Sequence, residues 1–142
     1  MIKINTGEIS LCESGFSLDP SLTPLDLERN IPDHIVFHYK TNTNYMHYCV
    51  WLDIDPSEYV YATVCFCENS LISIKLFPQA IAQELPNQRP STMNLREAQK
   101  LAYSWYQNHI SNKETVFKWG KIQYFSGADP IYSAPNISIQ YI

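Results

Sequence analysis

The chain holds four histidines and four cysteines, the side chains with which metal binding and nucleophilic catalysis usually begin. Spacing decides what they can do. His34 and His38 are four residues apart, which on a helix would be metal-ligand spacing. The residues between them, Ile35, Val36 and Phe37, favour a strand. There the two rings share a face about 13 Å apart, too far for one ion, so they read as structural or surface histidines. Asp53, Asp55, Ser57 and Glu58 repeat part of a calcium-loop pattern. The central glycine and the correctly spaced bidentate glutamate are missing, and the segment reads as a solvated hairpin loop. Cys65 and Cys67 fall on one strand face as packing residues, and nothing marks Cys12 or Cys49 as a nucleophile. No two carboxylates are singled out for acid–base work. There is no glycine-rich phosphate loop and no interleaving of basic and aromatic residues. The reading is a binder, not an enzyme, with no catalytic residue, no metal and no cofactor.

The elements that must position these residues centre on Tyr59 to Phe77, the most apolar stretch. Val60, Ala62, Val64 and Phe66 alternate with Tyr59, Tyr61, Thr63, Cys65 and Cys67, so the even set is the core face of a strand. Leu71 to Phe77 puts Ile72, Ile74 and Leu76 on its core face. A three-residue turn, Glu68-Asn69-Ser70, keeps the two apolar faces together. It pairs Cys67 with Leu71, Phe66 with Ile72, Val64 with Ile74 and Ala62 with Leu76, because a slip of one residue would flip every side chain. Tyr45 to Asp53 joins on the other side, with Leu52 opposite Val60, Trp51 beside Tyr61 and Cys49 beside Thr63. The connection Ile54 to Glu58 is a loop.

Further elements follow from local signals. Ile2 to Ile4 and Glu8 to Cys12 are short strands around Asn5-Thr6-Gly7. Thr23-Pro24 starts a short helix, with Thr23 as N-cap, Pro24 at the first helical position and Asp26 completing a capping box. Leu95 to Ile110 is the long helix, capped by Asn94 and Glu97, with a stripe of Ala98, Leu101, Ala102, Trp105 and His109. Burying Trp105 and Leu101 should contribute about 2–3 kcal/mol each. Gln79 to Leu85 is assigned a turn or two of helix. Val116 to Phe125 and Ile137 to Tyr141 are late strands around a loop from Ser126 to Pro135. Gly120 inside a strand implies a bulge or a close backbone approach. The expected fold is α+β in one domain, residues 1–142. An antiparallel sheet of about five or six strands carries the long helix on one face, with a short N-terminal helix besides.

At 142 residues, 45% hydrophobic and 17% charged, the composition excludes a disordered chain. Charge is uneven. Residues 1–70 hold three Lys/Arg against ten Asp/Glu, a net of −7; residues 71–142 hold seven against four, a net of +3. The acidic half argues against nucleic acid as a partner and suits a basic one. No apolar run resembles a signal peptide or a membrane span, so a cytoplasmic chain with reduced thiols is expected. One face gathers Tyr45, Trp51, Tyr59 and Tyr61 near Asp53, Asp55 and Glu58. Aromatic residues flanked by acids are how a binder of a basic protein would look. The expected partner-binding residues are therefore Trp51, Asp53, Asp55, Glu58, Tyr59 and Tyr61, unless the first helix or the N-terminal segment covers them.

Gly7 to Leu11 (GEISL), Trp119-Gly120 on a late strand, Asp129, and Ser138 to Tyr141 (SIQY) together resemble small bacterial immunity proteins of polymorphic-toxin and contact-dependent inhibition systems. The resemblance implies a chain that binds one cognate toxin domain, often a basic nuclease, and blocks its active site. It transfers no functional residue. The alternative from the residues themselves is a small enzyme or ligand-binding domain with a pocket between sheet and helix. A third is a subunit that self-associates through the Tyr/Trp face.

Overall fold

The computed structural model describes residues 1–42, 44–91, 93–110, 115–127 and 134–142. Its frame is a seven-stranded antiparallel sheet built from β4 (Ile35–Thr41), β5 (Tyr45–Asp55), β6 (Glu58–Cys67), β7 (Ser70–Ala82), β8 (Val116–Phe117), β9 (Gly120–Phe125) and β10 (Asn136–Tyr141). The spatial order is β4-β5-β6-β7-β10-β9-β8. A second, three-stranded sheet is formed by β1 (Ile2–Lys3), β2 (Glu8–Ser10) and β3 (Ser17–Leu18). Two helices, α1 (Pro24–Asn30) and α2 (Leu95–His109), complete the described residues. The fold is α+β, as expected. It has two sheets where one was expected and more strands than the five or six read from the sequence. β1 and β2 match the short strands read at Ile2 to Ile4 and Glu8 to Cys12; β3 is too short to show an alternation, and the strand expected over Val116 to Phe125 turns at Lys118-Trp119 into β8 and β9.

The predicted register of the β5–β6 hairpin holds: Leu52 lies opposite Val60, Trp51 opposite Tyr61 and Cys49 opposite Thr63. Its turn is tighter than the predicted loop. Asp55 pairs with Glu58, and the register shifts between Leu52 and Asp55. Asp53 and Ile54 thus share Tyr59 as their opposite neighbour, which is the geometry of a bulge.

The β6–β7 hairpin follows its predicted register only in part. Ala62 faces Leu76 and Val64 faces Ile74, but Phe66 faces Leu71 and Cys67 faces Ser70. The turn is two residues, Glu68 and Asn69, both at positive φ (51° and 74°), as a type I′ turn requires. A bulge between the Phe66 and Cys65 pairs absorbs the odd residue. Leu71 takes the core position assigned to Ile72, and Ile72 is only half-buried. β7 also runs past Pro78 to Ala82, where a short helix was expected. A second irregularity lets Val60 pair with Ile81 directly after Tyr61 pairs with Phe77. That bulge accommodates Pro78, which has no N–H to donate.

The larger core lies on one face of the sheet. It joins Val50, Leu52, Val60, Ala62, Val64, Phe66, Ile74 and Leu76 to Ile9, Leu11, Leu18, Leu22, Leu27, Ile31 and Trp105. α1 forms as its capping box predicts. The Thr23 side chain accepts from Asp26 N–H, and the Asp26 carboxylate accepts from Thr23 N–H. α2 is capped by Asn94, which accepts from the Arg96 and Glu97 N–H groups. It packs chiefly on β7 and then on β10, burying Ala98, Ala102 and Trp105. Leu101 is 43% exposed, which corrects the expectation that it joins the core. Two alanines let the helix sit close to the sheet, so its buried stripe is too narrow to include Leu101.

The residues that carried the family resemblance meet in space. The Trp119 indole N–H donates to Ile4 O (2.7 Å), and the Tyr141 hydroxyl donates to Gly7 O (2.7 Å). The Trp119 and Tyr141 rings lie 5.6 Å apart. A Cβ on Gly7 would fall 2.5 Å from the Trp119 ring, and one on Gly120 would fall 1.9 Å from Gln140 O. The close approach predicted at Gly120 is real, and the group works as a clasp between the small sheet and β9–β10. Asp129 lies outside the described residues.

Candidate functional site

The end of the large sheet at the β5–β6 turn collects carboxylates from two parts of the chain. Asp53, Asp55 and Glu58 come from the hairpin itself. Glu13 comes from the connection between β2 and β3, where its N–H donates to Asp53 Oδ2 (2.7 Å). Asp33 is exposed in a single 3₁₀ turn, Pro32–His34, next to His34, which contacts the same hairpin. Cys12 N–H donates to Asp53 O (2.9 Å), so the N-terminal segment is pinned to the hairpin by main chain as well.

Histidines lock this end. His34 Nδ1 lies 2.8 Å from Trp51 O, which can only accept, so the ring donates there. Asp53 Oδ1 is 3.9 Å from the same nitrogen and has no hydrogen-bond partner among the described residues. His109, at the end of α2, has Nδ1 2.9 Å from Trp105 O and Nε2 2.5 Å from Asp55 Oδ2. Both ring nitrogens face oxygen acceptors, so the ring bridges the end of α2 to the Asp55 carboxylate. It also stacks on Trp105 at 3.9 Å. No Lys or Arg pairs with any of the five carboxylates among the described residues. The end of the sheet therefore carries more acid than base, with the Met1 ammonium on Ile54 O (3.0 Å) beside it, and is tied together by hydrogen bonds.

The six expected partner-binding residues divide here. Asp55 and Glu58 are partly exposed at the turn. Asp53 is 2% exposed and is spent on holding Glu13. Tyr59 is 7% exposed, with its hydroxyl donating to the Glu13 carboxylate (3.2 Å); burial first, and then that bond, raise its pKa. Trp51 and Tyr61 are 3% and 9% exposed. They form a second cluster with Cys49 and Tyr59, packed against Val36, Phe37, Phe77, Ala80, Ala82 and Leu85. The expected open aromatic face is thus corrected: the chain covers it. The cover comes from β4, the end of β7 and Leu85 just beyond it, and the stretch after β7 is tied down by the Trp51 indole N–H to Gln88 O (3.1 Å). It is neither the first helix nor, apart from Glu13, the N-terminal segment.

Where that cover ends, a cleft of about 570 Å³ opens, lined by Phe37, Tyr39, Cys49, Tyr61 and Arg89. The Arg89 guanidinium sits 3.9 Å from the centre of the Phe37 ring. The Cys49 thiol and the Tyr61 hydroxyl are both pushed up in pKa, first by burial. Sequence reading missed Arg89 and Phe37 as site residues. The available signal was the stretch Leu85-Pro86-Asn87-Gln88-Arg89-Pro90, an apolar residue followed by two prolines that bracket Arg89, after a strand with an apolar second face.

His34 and His38 do not share a strand face. His34 ends the 3₁₀ turn, and the β4–β5 register shifts between Ile35 and Phe37. His38 stacks on Tyr48 at 5.3 Å. Among the described residues, no group of three or more His, Cys, Asp or Glu side chains is disposed to hold a metal ion. No described helix is long and apolar enough to cross a membrane. No family model matches the chain, and neither a curated protein nor a solved structure matches it.

Proposed function

We propose that this protein is an immunity protein that binds a basic toxin domain, a nuclease by preference, and occludes its active site with the acidic end of the large sheet. The observation that supports this reading is the convergence of Glu13, Asp53, Asp55 and Glu58 at one end, with exposed Asp33 beside the hairpin-bonded His34 and no Lys or Arg paired to any of them among the described residues. A nuclease must attract a phosphate backbone, so its substrate groove is positive. A fixed set of carboxylates is complementary to that groove and speeds encounter with it. Glu13, Asp33 and Glu58 are the accessible members and supply the contact. Asp53 and Asp55 hold the end in shape.

The test is affinity and on-rate towards the toxin-like domain encoded directly upstream, measured by biolayer interferometry at low and high salt. The expected result is a tight complex whose association slows as salt rises, and which protects the domain's nucleic-acid substrate from cleavage. The triple charge reversal Glu13→Lys, Asp33→Lys, Glu58→Lys should weaken it by about tenfold or more. A tight complex insensitive to both salt and the triple reversal would place the interface elsewhere. Absence of any complex would sink the proposal.

A further inference from the structure

We infer a second recognition site of opposite sign: the open edge of β4, with the Phe37–Arg89 cleft beside it, docks an extended segment of a partner protein that carries a carboxylate side chain. The site goes beyond the toxin reading and does not rest on it.

Three observations meet there. The first is the edge itself. β4 is the terminal strand of the seven-stranded order. It is seven residues long, and His38, Tyr39, Lys40 and Thr41 are exposed along it. The opposite edge, β8, is two residues long. An unpaired edge presents a row of N–H and C=O groups, and proteins commonly blunt it with proline, charge or a cover. β4 has no proline and one charged residue, Lys40. Its bulge lies at its start, between the Ile35 and Phe37 pairs, so the stretch from Phe37 to Thr41 is regular.

The second is an aromatic floor on one side of that edge. Phe37 and Tyr39 stack at 5.8 Å, and Tyr39 stacks on His47 at 4.8 Å. Phe37 pairs with Cys49 and Tyr39 with His47, so these side chains share the second face of the sheet. A strand added along β4 would send every other side chain over this floor.

The third is an unneutralised cation. Arg89 is exposed, lies over Phe37, and has no ion-pair partner among the described residues. A guanidinium presents a planar fork of donors that matches a carboxylate. Main-chain pairing along β4 therefore gives the affinity, and the Arg89–carboxylate bond gives the preference. Because the acidic end of the sheet takes the opposite charge, the two sites recognise different segments.

Five fluorescein-labelled peptides of eight residues test this on the full chain by anisotropy. Three alternate valine and threonine around a central glutamate, glutamine or lysine; the other two are the glutamate peptide with one or the other set of alternate amides N-methylated. The glutamate peptide is expected to bind at least tenfold more tightly than the lysine peptide, with glutamine between. One of the two N-methylated versions should lose binding, because its blocked amides face β4. Arg89→Ala should bring the three central residues within about twofold of one another. The comparison among peptides needs no variant, so an unstable Arg89→Ala leaves the idea testable. Equal binding of the lysine peptide, indifference to both methylation patterns, or no binding at all would overturn it. A dimer in sedimentation that is dissociated by Tyr39→Lys would put a second copy of the chain on this edge and overturn it as well.

Discussion

Asp55 and His109 offer the sharpest quantitative check on the acidic end of the sheet. They join the β5–β6 turn to the last turn of α2 through one bond of 2.5 Å, and their side chains are 29% and 26% exposed. A hydrogen bond to a charged group contributes about 1.5–3 kcal/mol when sheltered, and an exposed pair about 0–1 kcal/mol. With a quarter of each side chain in water the pair falls between these limits, at about 1–2 kcal/mol of coupling. The perturbations are Asp55→Asn, His109→Gln and the double variant. Their urea unfolding is followed by tryptophan fluorescence at neutral pH, Trp105 being stacked on the His109 ring. Each single variant should lose more stability than the second substitution costs once the first is made. The non-additive part is the coupling. It should fall at 1 M salt, where exposed charges are screened within about 3 Å. A coupling below about 0.3 kcal/mol at low salt, which is the scatter of additive sites, would refute the assignment of this pair as the lock between helix and turn.

Three more outcomes are expected. Gly120→Ala should cost about 3 kcal/mol or more, read as a lowered urea midpoint. Its Cβ would lie 1.9 Å from Gln140 O at a φ of 155°, forcing β9 and β10 apart and straining the backbone. Replacing Glu68-Asn69 by Asn-Gly should raise stability by about 1 kcal/mol in thermal unfolding, since both turn residues already hold positive φ and that pair favours such a turn. The Tyr48 hydroxyl has its pKa raised to about 12, first by burial and then by its bond to Glu28. The fold favours the neutral phenol, so this contribution is fully present below the unfolded value near pH 10. It is lost as pH rises to about 12. Urea midpoints between pH 9 and 12 should fall less steeply in Tyr48→Phe than in the parent chain.

Local signals were the legible part of the sequence. Thr23, Pro24 and Asp26 specify the start of α1 within four residues, and Asn94 does the same for α2. The pairing of Leu52 with Val60 followed from alternation alone, because only that register buries both apolar sets. What was not legible depends on backbone geometry or on distant chain. A glutamate at positive φ cannot be inferred from its type, yet Glu68 at 51° is what shortens the turn and moves Leu71 into the core. The aromatic face looked available because the residues that close it come from β4 and from the end of β7 and beyond, and the bond from Trp51 to Gln88 spans 37 residues. The acids at the end of the sheet were recognised within the hairpin, but Glu13 joins them only through a contact 40 residues away in sequence. Charge counting over the first half of the chain found the sign of that surface and could not find its members.

The clasp of Gly7, Trp119, Gly120 and Tyr141 has a consequence for the order in which the molecule is completed. Its two anchoring bonds join residues 115 and 134 positions apart, among the longest loops this chain can close. A ribosome delivers Ile2–Ser10 well before Tyr141. Until β10 arrives, the small sheet is held through its contacts to the β5–β6 hairpin and lacks the bond from Tyr141 to Gly7. Contacts of such separation fold late and leave apolar surface waiting. Docking of β10 thus completes the seating of the small sheet, and with it the frame behind the acidic end.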